Sequence, residues 1–70
     1  MMTISIRTLR EADGRWIAEI PELPGVLVYD ATEAGAVARV KALALRVVAD
    51  RLEHGDLPEG FAGLHFDPAA

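Results

Sequence analysis

Trp16-Ile17-Ala18-Glu19-Ile20-Pro21-Glu22-Leu23-Pro24-Gly25-Val26-Leu27-Val28-Tyr29 reads as two short strands joined by a rigid connector. The first, Trp16 to Ile20, is rich in aromatic and β-branched residues. Pro21 ends it, because proline has no N–H to give to a ladder. Pro24-Gly25 fits a type II turn, in which proline presets φ at the second position and glycine takes the positive φ at the third. Val26 to Tyr29 then resumes the sheet.

Upstream, Thr3 to Arg10 reads as one strand, with Ile4 and Ile6 alternating with Ser5 and Arg7. Asp13-Gly14 marks the turn into the next strand, and two registers compete. A two-residue turn would split the apolar set between the two faces. A three-residue loop, Ala12-Asp13-Gly14 with Gly14 left-handed, sets Ile6 opposite Ile20, Thr8 opposite Ala18 and Arg10 opposite Trp16. Leu9 then meets Ile17 on the other face, beside two opposite-charge pairs, Arg7 with Glu19 and Glu11 with Arg15. Keeping the apolar face together decides for the three-residue loop. Val26 and Val28 share the buried face, and Leu27 and Tyr29 point away from it.

Downstream, Thr32 is a good N-cap and Glu33 suits the positive start of a helix. The helix is expected to run to Glu53 or His54, with Gly55 as its stop. Its apolar residues form two stripes. Ala36, Val40, Leu43 and Val47 make one; Ala38, Leu45, Val48 and Leu52 make another, roughly 140° away at about 100° per residue. One sheet face needs a single stripe, so the second predicts self-association. Gly35, in the first turn, costs about 1 kcal/mol against alanine and implies a close approach. After the loop around Pro58, Phe61 to Phe66 reads as a short fourth strand, returning parallel to the first by a right-handed crossover. The expected architecture is α+β, a βββαβ unit with strand order 3-2-1-4 and one long helix on one face.

Seventy residues make one domain, with a core expected over about residues 3–66. A chain of this length buries only about 60% of its unfolded surface, and without cysteine it has no disulfide to compensate. Association with a further copy, as a dimer or tetramer, is the remaining remedy. The net charge of -4 disfavours contact with nucleic-acid phosphates and suits a basic partner. No basic segment followed by an apolar run opens the chain, and Arg39, Lys41 and Arg46 interrupt the apolar stretch from Ala34 to Ala49, so a cytoplasmic protein without a membrane span is expected.

Catalytic chemistry finds little footing. The only serine, Ser5, is mid-strand, and His54 and His65 lie apart at a helix end and in the last strand. A two-metal nuclease needs several carboxylates at one end of the sheet. Asp30 and Glu33 are near neighbours, but a turn former and a helix-start acid explain both. No catalytic residue, metal site or cofactor is expected. Trp16 and Tyr29 are the aromatic candidates for a binding surface.

Gly14 to Gly25, with Trp-Ile-Ala-Glu-Ile-Pro-Glu-Leu-Pro-Gly at its centre, then Val-Tyr-Asp-Ala-Thr-Glu and an alanine-rich helix, resembles the HicB antitoxin family over residues 3 to 54. The resemblance implies a partial RNase H-like fold without nuclease carboxylates, and neutralisation of a HicA-type mRNA-cleaving toxin, a small basic protein. Trp16, Glu19, Glu22 and Tyr29 would meet that partner, and Leu45, Val48 and Leu52 would carry self-association. Many family members add a C-terminal DNA-binding domain; these 70 residues hold no room for one, so no direct DNA binding is expected. The chain also departs from the family at Asp30, where many members have glycine, and at Ala34-Gly35, where they have Glu-Ala. The alternative is a solitary oligomeric domain that binds a small ligand or another protein without a toxin.

Overall fold

The computed structural model describes residues 2–56 and 64–67. Five strands and one helix follow in order: β1 (Met2–Ser5), β2 (Arg7–Arg10), β3 (Trp16–Glu19), β4 (Leu27–Asp30), α1 (Glu33–Glu53) and β5 (Leu64–Asp67). Strands β2, β3 and β4 form an antiparallel sheet, and β5 pairs with β1 in parallel. The molecule is a small α+β unit with its one long helix against one face of the three-stranded sheet. Ile4, Ile6, Ala18, Ile20 and Val26 meet Ala36, Val40 and Ala44 of α1 in the core.

The hairpin has the register that keeps this apolar set together. Arg7 lies opposite Glu19, Thr8 opposite Ala18, Leu9 opposite Ile17 and Arg10 opposite Trp16. Glu11 N–H donates to the Arg15 carbonyl at 2.7 Å, closing the three-residue loop, with Gly14 at φ +92°. The charge pairs come out differently. Arg7 and Glu19 approach to 3.4 Å, but Arg15 turns from Glu11 to Asp13, at 2.8 Å. Asp13 sits in the loop itself and accepts both the backbone N–H and the Nε–H of Arg15, so the nearer partner wins.

The expected single first strand is broken at Ile6, so one four-stranded sheet is replaced by a three-stranded and a two-stranded one. The cause lies in the connector. In the hairpin's register Ser5 would next exchange bonds with residue 21, and Pro21 has no N–H to offer. The Glu22 carboxylate takes over instead, accepting from Ser5 N–H at 3.0 Å and from its hydroxyl at 2.9 Å. Burial disfavours the charged carboxyl. The N–H groups of Glu22 and Ser5, the Ser5 hydroxyl and the Arg7 guanidinium outweigh that, and hold Glu22 below the usual glutamate range. The connector is two linked turns, with Leu23 N–H on the Ile20 carbonyl and Val26 N–H on the Leu23 carbonyl, both at 3.0 Å. Gly25 has φ +87°, as the second turn requires. Leu23 between them is fully buried.

β4 begins at Leu27 rather than Val26, and its alternation is as expected: Val26 is buried and Val28 packs on the core, while Leu27 and Tyr29 are exposed. The helix starts at the Thr32 cap, whose hydroxyl accepts from Gly35 N–H at 3.0 Å. It stops at Gly55, φ +71°. There Asp56 N–H reaches the Arg51 carbonyl and Gly55 N–H the Leu52 carbonyl, the paired bonds of a Schellman end.

Gly35 has a steric reason. A Cβ there would lie 1.8 Å from Oδ2 of Asp30. That carboxylate accepts from the N–H and hydroxyl of Thr32 at the positive end of the helix. Asp30 and Gly35 therefore touch, and the space that glycine leaves is used by the carboxylate. Arg39, one turn on, donates to the Tyr29 carbonyl and lies 3.7 Å from Asp30 Oδ1. The β5 strand starts at Leu64; residues 61–63 of the expected fourth strand lie outside the described residues.

Candidate protein-binding surface

The helix covers one face of the β2-β3-β4 sheet. The other face carries Arg7 and Leu9 from β2, Ile17 and Glu19 from β3, and Leu27 and Tyr29 from β4, by the alternation of a pleated strand. Leu9 is 62% exposed, Leu27 42% and Tyr29 40%. The Arg15 guanidinium lies 4.7 Å from the centre of the Tyr29 ring, a cation–π contact worth about 0.5–1 kcal/mol at an exposed site. It holds the ring in place at the edge of the face. With the Arg7–Glu19 pair beside Leu9 and Ile17, the surface has an apolar centre and a rim of both charges, the make-up of a protein-contact patch.

The four residues expected to meet a partner do not converge. Glu19 and Tyr29 share the open face. Trp16 lies on the helix side and packs against the core. Glu22 is engaged by Ser5. Leu9, Ile17 and Leu27 share the open face, where alternation places them, but are not among the residues the sequence names as partner contacts. Of the three residues expected to self-associate, Leu45 and Leu52 are 53% and 65% exposed, and Val48 is half-buried against the core.

Two grooves flank the helix. One, of about 540 Å³, runs beside β2 and is lined by Thr8, Glu33, Ala34, Val37, Ala38 and Lys41. The Thr8 hydroxyl donates to Glu33 at 2.8 Å across it. The other, of about 390 Å³, lies beside β4 and has Arg39 and Arg46 on its rim.

Among the described residues, Ser5, Asp30, Glu33 and His54 have structural partners. Asp30 braces the helix start, Glu33 accepts from Thr8, and Ser5 donates to Glu22. His54 Nδ1 lies 2.7 Å from the Asp50 carbonyl at the helix end. Among the described residues no three histidines or carboxylates gather as a metal site, and no helix is long and apolar enough to cross a membrane.

Fold and surface together define a small α+β domain in which one sheet face, apolar at its centre, is uncovered among the described residues. No protein-family model, curated protein or solved structure matches the chain.

Proposed function

We propose that this chain is a non-catalytic binding protein of the HicB antitoxin type, which binds and neutralises a HicA-type mRNA-cleaving toxin. The observation that carries this reading is the uncovered sheet face, with Leu9, Leu27 and Tyr29 exposed and Tyr29 braced by Arg15. Aromatic and aliphatic anchors of this kind dominate protein contacts, and a net charge of -4 favours encounter with a basic partner. Tyr29 and Glu19 remain the partner contacts, joined by Leu9, while Trp16 and Glu22 act through the fold. The antiparallel meander, the crossover helix and the parallel return of β5 to β1 support a partial RNase H-like unit, and a toxin that cleaves mRNA would be met in the cytoplasm. The exposed Leu45 and Leu52, with Val48 beside them, are one candidate surface for self-association; the outer edge of β2 is the competing one.

Co-expression with the product of a neighbouring reading frame for a basic protein tests this. The expected result is a complex that co-purifies and relieves that protein's toxicity, and that Tyr29→Ala weakens. No complex and no relief would end the antitoxin reading. The groove at Thr8, Glu33 and Lys41 favours a second reading, a solitary oligomer that takes a small ligand near a subunit junction.

A further inference from the structure

The two edges of the three-stranded sheet are unlike. Ladder geometry fixes which backbone groups point outward. Glu11 N–H bonds the Arg15 carbonyl, so Glu11 and Arg15 form a hydrogen-bonded pair. Pairs alternate along an antiparallel ladder, so Leu9 with Ile17 and Arg7 with Glu19 are hydrogen-bonded too. Thr8 and Arg10 therefore turn their N–H and C=O groups away from β3. Strand β5 ends opposite Ser5, two residues short of β2. Among the described residues nothing pairs with the outer edge of β2. At the β4 edge Ile20 N–H bonds the Val26 carbonyl, so Leu27 and Tyr29 point outward by the same alternation, and Arg39 occupies the Tyr29 carbonyl.

We infer that a second copy of this chain adds to the outer edge of β2, antiparallel and about a two-fold axis at Leu9. This goes beyond the toxin reading, which concerns the sheet's face. The argument is the charge pattern of Arg7-Thr8-Leu9-Arg10-Glu11. Outward bonding by Thr8 and Arg10 restricts a two-fold pairing to three registers. One sets Arg10 against Arg10, a like-charge contact that costs stability. One sets Thr8 against Thr8 and Arg7 against Leu9, leaving every charge unmatched. The third sets Leu9 against Leu9, and every neighbour then has a complement. Arg7 meets the second copy's Glu11, and Glu11 meets its Arg7. On the helix side Arg10 comes opposite the second copy's Thr8, whose hydroxyl is already on the Glu33 carboxylate, so guanidinium and carboxylate share one site. The most exposed large apolar side chain of the sheet, Leu9, is covered by its own image. A two-fold interface must be self-complementary in this way.

The pairing extends three strands to six and doubles the open face, so that Tyr29, Ile17 and Leu9 of both copies form one continuous apolar strip. The helix packs about equally on β3 and β4, so the two axes would stand about 14–19 Å apart, three to four strand spacings. Contact needs about 8–10 Å. The groove at Val37, Ala38 and Lys41 therefore becomes a shared trough between the helices.

Sedimentation equilibrium of the whole chain tests this, with circular dichroism to confirm folding. Wild type is expected at twice the 7.5 kDa chain mass. Glu11→Lys sets the introduced lysine against the second copy's Arg7, twice per dimer. Arg7→Glu sets the introduced glutamate against the second copy's Glu11, again twice. Each should raise the dissociation constant roughly ten- to thirtyfold. Mixing the two single variants pairs the introduced glutamate with the introduced lysine, leaves one native Arg7–Glu11 pair, and restores the dimer as a heterodimer. Arg10→Pro removes an outward N–H without touching the inner ladder, and should give a folded monomer. A wild type that stays monomeric at millimolar concentration overturns the inference. So does a dimer indifferent to Glu11→Lys and Arg10→Pro but split by Leu45→Asp, which would place the interface on the helix. Toxin binding by the monomeric variants is read separately by co-purification, so either reading can fail without the other.

Discussion

Replacing Gly35 by alanine should destabilise this protein, although alanine is the better helix former. In an open helix interior the exchange gains about 1 kcal/mol. Here the new methyl would lie 1.8 Å from one oxygen of Asp30 and 2.7 Å from its carboxyl carbon, so the carboxylate must swing out. It then gives up its bonds to Thr32 and its place at the positive helix end, worth about 0.3–1 kcal/mol. Crowding that does not relax adds about 1–3 kcal/mol. The expected net loss is about 1–2 kcal/mol. Asp30→Ala removes the obstacle and should itself cost about 1 kcal/mol. In that background the new methyl still lies 2.9 Å from the Thr32 hydroxyl oxygen, so Gly35→Ala should gain only part of the usual value, up to about 1 kcal/mol, and the two residues couple by about 1–3 kcal/mol. Urea unfolding of the four proteins, followed by far-UV circular dichroism, reads this as shifts of midpoint at constant slope. If Gly35→Ala stabilises both backgrounds equally, the steric account of Gly35 is wrong.

The Glu22 clamp predicts an acid limb. Its folded carboxyl titrates below the unfolded one, so its contribution is complete above the unfolded value, about pH 4.3, and is lost as pH falls through the lower folded value. Glu22→Gln should be about 1 kcal/mol less stable at neutral pH, and unfolding midpoints taken down to acid pH should show the difference from wild type closing. Leu23→Ala, in the connector but fully buried, should cost about 2–5 kcal/mol in the same assay, as much as a residue of the sheet core. Tyr29→Ala should cost only about 0.5–1 kcal/mol of stability yet lower affinity for a captured partner by about 2 kcal/mol or more, read by titration calorimetry.

The hairpin register, the type II turn and both helix ends are legible in the sequence because each rests on local chemistry: the left-handed glycines, the Thr32 hydroxyl, and one apolar face that cannot be divided. The break at Ile6 is not. Pro21 announces the end of its own strand, but that Glu22 reaches back to Ser5 depends on a contact 17 residues apart. Gly35 signals a close approach without naming Asp30, since alternation and helical period say nothing of what meets across a turn. For the candidate site, the alternation that puts Tyr29 and Glu19 on the open face also puts Leu9 there. Trp16 reads as a contact because its place at the hairpin end looks hard to bury. Its face, shared with Ala18, is the better guide.

Arg39 bears on how large an assembly this chain can build. A sheet with two vacant rims adds copies at both and grows without limit, the route to fibres. Here the guanidinium on the Tyr29 carbonyl takes one of the outward acceptors of the β4 rim, so in the proposed pairing a copy adding there would have to displace it, whereas one adding at β2 would not. Arg39→Ala would free that acceptor. A single arginine side chain would then bias the choice between a discrete particle and an open-ended ribbon.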